Sequence, residues 1–296
     1  MSFLQSLARK VKDIVPPSLP FTCYRLLGKV PTLQRMADKV ICMTIPKMIT
    51  LPEGVLFLNQ SDAAVSAPIA LDFFEQTELA LFRKTIQPGM TVVDIGANLG
   101  LYTVIAGKLV GPNGKVFACE PEPSNFALLK KNVEANKLSN VVLFDIAVSE
   151  KAGEVELFLH HNNKGSPSLA TWSEKKTPSR RVRTDTLDNL LSAYGSPAVD
   201  VIKMDIEGAE ERALRGMSET IARSPRLVLF SEFFPKRIEA VSKRPAESFL
   251  QGLLDKGFTL ETLPKNTNVR KKIYDTENVY ALIPRGENFI DIIARK

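Results

Sequence analysis

The stretch VVDIGANLGLYT, residues 92–103, joins a short apolar run to a glycine-containing turn and the start of a helix. The apolar residues before Asp94 are typical of a buried strand. The helical pattern continues to residue 110, where Gly111-Pro112 ends it. A strand, a tight turn and a helix in this order predict the first unit of a parallel α/β sheet.

The same alternation continues towards the C-terminus. Runs that predict strands follow at residues 115–120, 141–145, 199–204, 226–230, 258–263 and 278–282, with amphipathic segments between most of them. We therefore expect a mostly parallel sheet with helices on both faces. The last two strands are separated by a loop alone, which predicts an antiparallel pair. Residues 149–184 break the rhythm and predict an inserted hairpin.

Four of the predicted strands end in an acidic residue. These residues are Asp94, Glu120, Asp145 and Asp205. Ligands of open α/β sheets bind outside the carboxyl ends of the strands. We therefore expect the four acids to lie around one crevice.

The glycine spacing distinguishes between two kinds of nucleotide ligand. The dinucleotide fingerprint is G-x-G-x-x-G, but Asn98 occupies the place of its second glycine. Asp94, directly before the turn, would also repel a pyrophosphate. S-adenosylmethionine is a cation without phosphates, and Glu120 is placed to accept hydrogen bonds from its ribose. The pattern thus favours this cofactor over that of a nicotinamide-dependent oxidoreductase.

Several stretches resemble the FkbM-type family, a branch of the class I S-adenosylmethionine-dependent methyltransferases. They are VVDIGANLGLYT (92–103), FACEPEP (117–123), RTDTLDNLL (183–191), VIKMDIEGAE (201–210) and the lead-in FFEQTELALFRKTIQPGM (73–90). The resemblance implies a Rossmann-like sheet of seven strands with an antiparallel last strand. It also implies transfer of a methyl group to a hydroxyl of a sugar, glycan or natural product.

The same resemblance implies roles for individual cofactor-binding residues. The methionine end of the cofactor would contact Asp94, Gly96, Asn98 and Gly100. Glu120 would bind the ribose, and Asp145 with Ala147 the adenine.

Methylation of a hydroxyl needs a base that takes its proton. The candidates are Asp205 and Glu207, at the end of the fourth strand, and Glu232, after the fifth. Lys203 lies two residues before Asp205, so both share one face of the strand. This pairing predicts Asp205 as a positioning group and leaves Glu207 or Glu232 as the base. Alternatively, Glu207 only places a negative charge at the N-terminus of the next helix, where it is favourable. Glu232 would then be a solvated residue at the end of its strand.

Other functions remain open on the sequence alone. An N-methyltransferase of the same fold is one alternative, although DIEG (205–208) is not the Asn-Pro-Pro-Tyr type of loop that favours nitrogen. A non-catalytic cofactor-binding or membrane-associated module is another. We expect no metal, because no Asp-Asp pair or His-x-x-x-His motif supports one.

The chain has 296 residues and a net charge of +6, and the whole excess lies in residues 1–50. The remainder is neutral, so we expect no nucleic acid partner. Residues 1–17 have the pattern of a basic amphipathic helix, which predicts either peripheral membrane contact or packing on its own domain. Pro-rich turns predict an N-terminal appendage, residues 1–69, and a methyltransferase domain, residues 70–296, with its motifs in 91–260.

Three scattered cysteines and the lack of a secretory signal lead us to expect a cytoplasmic protein. The partner we expect is a small-molecule or glycan methyl acceptor, and the oligomeric state is left open. The insert adds His160-His161, Trp172 and the basic residues Lys175, Lys176, Arg180, Arg181 and Arg183. These side chains either contact an acceptor or form a solvated surface.

Overall fold

The computed structural model describes residues 31–160, 163–169, 178–263, 270–274, 276, 278–284 and 286–296. The predicted helix in residues 1–17 therefore lies outside the described residues, as do His161, Trp172, Lys175 and Lys176. No helix in the described ranges is both long and apolar enough to span a membrane.

A central sheet of eight strands organises the chain. Its order is β13-β12-β14-β11-β10-β3-β4-β5. The strands are β3 (Thr91–Ile95), β4 (Lys115–Cys119), β5 (Val141–Phe144), β10 (Val201–Met204), β11 (Val228–Phe233), β12 (Thr259–Leu263), β13 (Lys272–Ile273) and β14 (Ile290–Arg295). Five neighbours from β5 to β11 run parallel, and β14 is antiparallel to both β11 and β12. The predicted seven-stranded, Rossmann-like sheet is confirmed, and β13 adds a two-residue edge.

The position of the last strand differs from the prediction. Residues Asn278–Leu282 form a 3-10 helix, and the closing strand is β14. The antiparallel pairing with β12 is correct, but the strand assigned to 278–282 is wrong. β14 lies between two strands and buries Ile290, Ile292 and Ile293, so its pairing depends on contacts far away in sequence.

Helices cover both faces of this sheet. The helices and the N-terminal hairpin strands are α1 (Pro31–Thr44), β1 (Met48–Leu51), β2 (Gly54–Phe57), α2 (Ser66–Ala70), α3 (Gln76–Thr85), α4 (Leu101–Leu109), α5 (Pro123–Ala135), α6 (Leu187–Ser192), α7 (Glu210–Arg215), α8 (Ser218–Ala222), α9 (Pro235–Ser242) and α10 (Glu247–Asp255). Successive strand residues point to opposite faces, so β3 contributes Val92 to one core and Val93 to the other.

The insert forms a second sheet of four strands in the order β6-β9-β7-β8. Its strands are β6 (Ala147–Val148), β7 (Gly153–His160), β8 (Asn163–Ser168) and β9 (Ser179–Asp185). The antiparallel pairs β7–β8 and β7–β9 contain the predicted hairpin, and β6 extends it by pairing parallel with β9. A small apolar cluster of Ala147, Leu157 and Val182 lies beneath it.

Residues 45–69 share the core of the main sheet. Ile49, Leu56, Leu58 and Ile69 are buried in the same apolar cluster as residues of α4 and α5. Their burial provides part of the cover over one face of the sheet. The boundary at residue 69 between an N-terminal appendage and a methyltransferase domain stays a prediction.

Candidate active site

An open cavity of about 250 Å³ lies at the carboxyl ends of the central strands. Its wall includes the residues that follow β3, β4 and β10, and also Glu232 of β11. The edge at which the sequence places its acids is therefore a concave site, as expected for an open α/β sheet.

The turn after β3 needs glycine at two positions. Gly96 has φ +82°, and a Cβ on it would lie 2.0 Å from the carbonyl oxygen of Asp205. Gly100 has φ +92° and precedes α4. The amides of Gly96 and Ala97 both donate to the carbonyl of Cys119. The backbone therefore approaches the neighbouring strand ends closely and leaves the space above the turn open.

Asp94 is buried in the cavity wall. Its carboxylate accepts a hydrogen bond from the Thr103 hydroxyl at 2.5 Å. Burial raises the pKa of Asp94 to about 6, opposed by the Thr103 hydrogen bond and the charge of Lys203. Lys203 is also the residue paired with Asp94 in the register between β10 and β3.

Glu120 follows β4 and is 4% exposed. One of its carboxylate oxygens accepts from the amide of Asn98 and the other from the amide of Glu122, both at 2.8 Å. Burial raises the pKa of Glu120 to about 7, although both amide hydrogen bonds favour the ionised form. The side chain thus links the turn after β3 to the segment after β4, and it lines the cavity.

The structure separates Asp145 from the other three acids. Its carboxylate is exposed, lies 2.6 Å from Arg183 and is absent from the cavity wall. Ala147 does line the cavity, next to Ile146 and Val148. An adenine contact by Asp145 stays a prediction, whereas Asp94, Glu120 and Asp205 share one cavity.

Lys203 is the centre of a buried charge cluster. Its ammonium lies 2.8 Å from Glu78, 3.9 Å from Glu75 and 3.9 Å from Asp205. The Tyr102 hydroxyl donates to Glu75 at 2.5 Å. The predicted proximity of Lys203 and Asp205 is therefore present, but Glu78 is the closer carboxylate.

Glu75, Glu78 and Tyr102 were not among the predicted site residues. Two acids spaced three apart in the lead-in FFEQTELALF were the available signal. They reach the site because α3 packs against α4, which brings residues from before β3 beside β10. That packing cannot be read from local sequence patterns.

The other two predicted bases have different surroundings. Glu207 has φ +55°, and its carboxylate forms an ion pair with Arg237 of α9. Glu232 lies within β11, opposite Asp291 of β14, so its placement after the strand is wrong. The pairing with β14 extends the strand to Phe233. Burial, together with the nearby Asp205, Asp291 and Glu210, raises the pKa of Glu232 well above its usual value.

The described basic residues of the insert have acidic partners. Arg180 lies 3.8 Å from Glu122, and Arg181 lies 3.6 Å from Glu154. Together with the pair formed by Arg183, these contacts agree with a salt-bridged surface on β9. In the described parts of the chain, no group of three His, Cys, Asp or Glu side chains is arranged to hold a metal ion.

The charge of the wall tests which cofactor fits. The described residues that line the cavity include six acids and one basic side chain, Lys203. Such a wall suits a ligand with positive charge and hydroxyl groups, and it lacks the cations that a pyrophosphate would need. Together with the strand order, this site agrees with the class I S-adenosylmethionine-dependent methyltransferase fold that the sequence predicts.

Sequence comparison gives the family. The sequence model of the methyltransferase FkbM domain matches residues 94–266, more than half of the chain. The chain therefore belongs to the FkbM methyltransferase family, and the resemblance stated from its motifs is confirmed.

Curated relatives match shorter parts of the chain. Methyltransferase sdnD from Sordaria araneosa is 28% identical over 198 residues, which cover 57% of this chain and 73% of that protein. The 2-O-methyltransferase NoeI from Sinorhizobium fredii is 26% identical, with 47% of this chain and 61% of NoeI covered. The hexuronic acid methyltransferase AglP from Haloferax volcanii is 26% identical, with 50% and 58% covered. The match thus spans less than two thirds of the last two proteins.

Among solved structures, the methyltransferase FkbM from Methylobacillus flagellatus KT is similar. It has 12% identity and a TM-score of 0.43, covering 89% of this chain and 59% of that chain.

Proposed function

We propose that this protein transfers a methyl group from S-adenosylmethionine to a hydroxyl oxygen of a sugar, glycan or natural-product-like acceptor. The observation that supports this most directly is the cavity at the strand ends, where Asp94, Glu120 and Asp205 lie around an open glycine turn. The names of two relatives support this acceptor: NoeI is a 2-O-methyltransferase, and AglP is a hexuronic acid methyltransferase.

The wall of the cavity divides into two ends in this proposal. Gly96, Asn98 and Gly100 shape the turn that would face the methionine end, and Glu120 would accept hydrogen bonds from the ribose hydroxyls. Ala147 would border the adenine. The cofactor supplies a methyl group on positively charged sulfur. The residues of the chain hold and orient the acceptor hydroxyl, which contributes much of the rate acceleration.

A carboxylate at the other end would take the hydroxyl proton. Asp205 is part exposed and lies near Lys203, so it is placed to orient an acceptor. Glu207 forms an ion pair with Arg237, so its carboxylate is already occupied by a partner within the chain. The raised pKa of Glu232 means that its carboxylate, once ionised, accepts a proton more readily than an ordinary glutamate does. We therefore keep Glu232 and Asp205 as candidate bases and assign Glu207 a structural role.

The binding step is tested by calorimetric titration of S-adenosylhomocysteine into the protein. We expect Glu120→Gln to weaken binding about tenfold, since a charged acceptor of ribose hydrogen bonds is worth about 1.5 kcal/mol or more. Glu134→Gln, an exposed acid at the end of α5, is the matched control and should bind as the unaltered protein does. Full affinity in Glu120→Gln would count against the ribose assignment.

The acceptor class is tested in cells. Glycans and small metabolites from a strain lacking the gene should include a species lighter by one methylene group, detected by mass spectrometry. Purified protein with S-adenosylmethionine should restore the missing mass to that species. A methyl group restored to nitrogen instead of oxygen would refute the O-methyl assignment.

A further inference from the structure

Glu75 occupies an unusual backbone position at the rim of the cavity. It has φ +40°, a left-handed conformation that side chains other than glycine adopt at some cost, and it directly precedes α3. Its side chain is 24% exposed and lines the cavity. The Tyr102 hydroxyl donates to it at 2.5 Å, which orients the carboxylate. Such local strain is often associated with functional sites.

The negative charge around Glu75 exceeds the positive charge available to it. Lys203 is the nearest cation, but its ammonium is closer to Glu78, at 2.8 Å, than to Glu75 or Asp205, both at 3.9 Å. Three carboxylates thus lie around one ammonium, and Asp205 also interacts with the charge of Arg237. The Arg237 guanidinium pairs with Glu207. The carboxylates at this end of the cavity therefore outnumber the cations that contact them, so a positively charged ligand group would be stabilised here.

We propose that Glu75 is the counter-ion for the positively charged sulfur of S-adenosylmethionine, so that the cavity binds this donor in preference to its neutral product, S-adenosylhomocysteine. This inference rests on the proposed function and adds to it a residue and a selectivity. The two ligands share the adenosine and the amino-acid tail, so a carboxylate that faces the sulfur is the kind of group that can tell them apart.

The ionisation of Glu75 agrees with this role. Burial raises the pKa of Glu75 to about 7, the charges of Glu78 and Asp205 raise it as well, and Lys203 and Tyr102 lower it. A cation beside the carboxylate would favour its ionised form. Preference for the charged donor should therefore increase as the pH rises through about 7, because below that value Glu75 is protonated and has no charge to offer.

The same argument predicts how the product leaves. Loss of the methyl group removes the positive charge from the sulfur. Glu75 then again shares Lys203 with Glu78 and Asp205, and the site no longer holds the ligand by charge. The donor is thus retained more strongly than the product.

The experiment is a calorimetric comparison of both ligands at about pH 6 and about pH 8 with three proteins. These are the unaltered chain, Glu75→Gln and the control Asp72→Asn. Glu75→Gln keeps an oxygen that can accept from Tyr102 but removes the charge. Asp72 directly precedes the lead-in segment, is exposed, accepts a hydrogen bond from Gln76 and lies outside the cavity wall.

At about pH 8 we expect Glu75→Gln to bind S-adenosylmethionine about tenfold more weakly, from loss of one partly screened charge pair, and S-adenosylhomocysteine within about twofold. Asp72→Asn should leave both affinities unchanged. In the unaltered protein, the affinity for S-adenosylmethionine divided by the affinity for S-adenosylhomocysteine should rise several-fold between about pH 6 and about pH 8. This rise should be absent in Glu75→Gln.

Two results would overturn the inference. One is an equal loss for both ligands in Glu75→Gln, which indicates a structural role or a contact with the amino group that both ligands share. The other is a pH-independent ratio in the unaltered protein. The second measurement does not require the variant to fold. If the unaltered protein binds neither ligand, the proposed function itself fails. If it binds both with an unchanging ratio, only the role of Glu75 fails.

Discussion

Lys203 shows how one side chain organises the candidate site. It is 4% exposed and contacts carboxylates from two different parts of the chain, the lead-in segment and the end of its own strand. Burial lowers the pKa of Lys203, but Glu78, Glu75 and Asp205 reverse this effect and raise it well above the usual value. The lysine is therefore charged, and it neutralises acids that could not otherwise remain ionised in this wall.

Replacing this lysine should destabilise the fold in a pH-dependent way. We expect Lys203→Met to lower the free energy of unfolding by about 3 kcal/mol, because it leaves buried carboxylates without a cation. The folded-state pKa of Glu78, already raised, would rise further. A carboxyl group whose pKa is raised in the folded state contributes less to the stability of the protein as the pH rises. The loss in urea unfolding should therefore be larger at about pH 8 than at about pH 6.

An exposed lysine serves as the control for that experiment. Lys130 lies 4.0 Å from Glu134 on the surface of α5, and Lys130→Met should change the unfolding free energy by less than about 0.5 kcal/mol. A loss for Lys203→Met that is the same at both pH values would contradict the charge explanation.

Among the secondary-structure elements, α5 connects the N-terminal hairpin with the turn after β3. Asn132 accepts from the amide of Phe57 at 2.7 Å and donates to the Phe57 carbonyl at 3.1 Å. Asn136, one helical turn later, makes the same two kinds of bond with Val55. The two amides thus act as a partner strand for the free edge of β2. Asn132 also donates to the Leu99 carbonyl at 2.7 Å, within the turn after β3.

This difference between the two asparagines can be measured. Asn132→Ala and Asn136→Ala should each lower the unfolding free energy by about 2 kcal/mol, because backbone groups of β2 lose partners. Asn132→Ala alone should also weaken S-adenosylhomocysteine binding several-fold, since it alone frees the Leu99 carbonyl. Equal affinities in the two variants would show that the turn holds its shape without Asn132.

At the scale of the whole molecule, several buried carboxyl groups have pKa values above their usual range. Burial raises the pKa of Glu75, Glu120 and Glu210 to about 7 and that of Asp94 to about 6. Three of them line the cavity, and Glu210 accepts from the amides of Ile206 and Gly208 at its edge. Such groups bind protons more tightly in the folded than in the unfolded state. Their contribution to stability is therefore present at low pH and lost as the pH rises through 6 to 7.

We expect the ligand-free protein to lose at least about 1 kcal/mol of unfolding free energy between about pH 5.5 and about pH 7.5. Unperturbed carboxyl groups titrate below this window but histidines titrate within it, so the measurement uses a protein in which His160 and His161 are replaced by Gln. Chemical denaturation at several pH values measures it. Saturating S-adenosylmethionine should reduce the slope, because a bound cation favours the ionised carboxylates. A stability that is constant or increases over this range would contradict the assignment.

Much of the fold followed from local patterns. The residues 92–103, 117–123 and 201–210 predicted strands, their order along the chain and the acids at their ends, because strand periodicity and turn chemistry act over a few residues. The seven-stranded sheet and the family were confirmed on this basis. The final strand was misplaced, since an apolar run at 278–282 competes locally with that at 290–295.

The sequence alone was enough to predict the class of cofactor site, because a glycine turn followed by an acid at the next strand end is a local arrangement. Folding was needed to show which carboxylates share a cavity. Glu75 and Glu78 reach Lys203 through the packing of α3 on α4, whereas Asp145 points to Arg183 of β9. Side-chain neighbours across elements depend on long-range packing, and no pattern within one stretch of sequence encodes them.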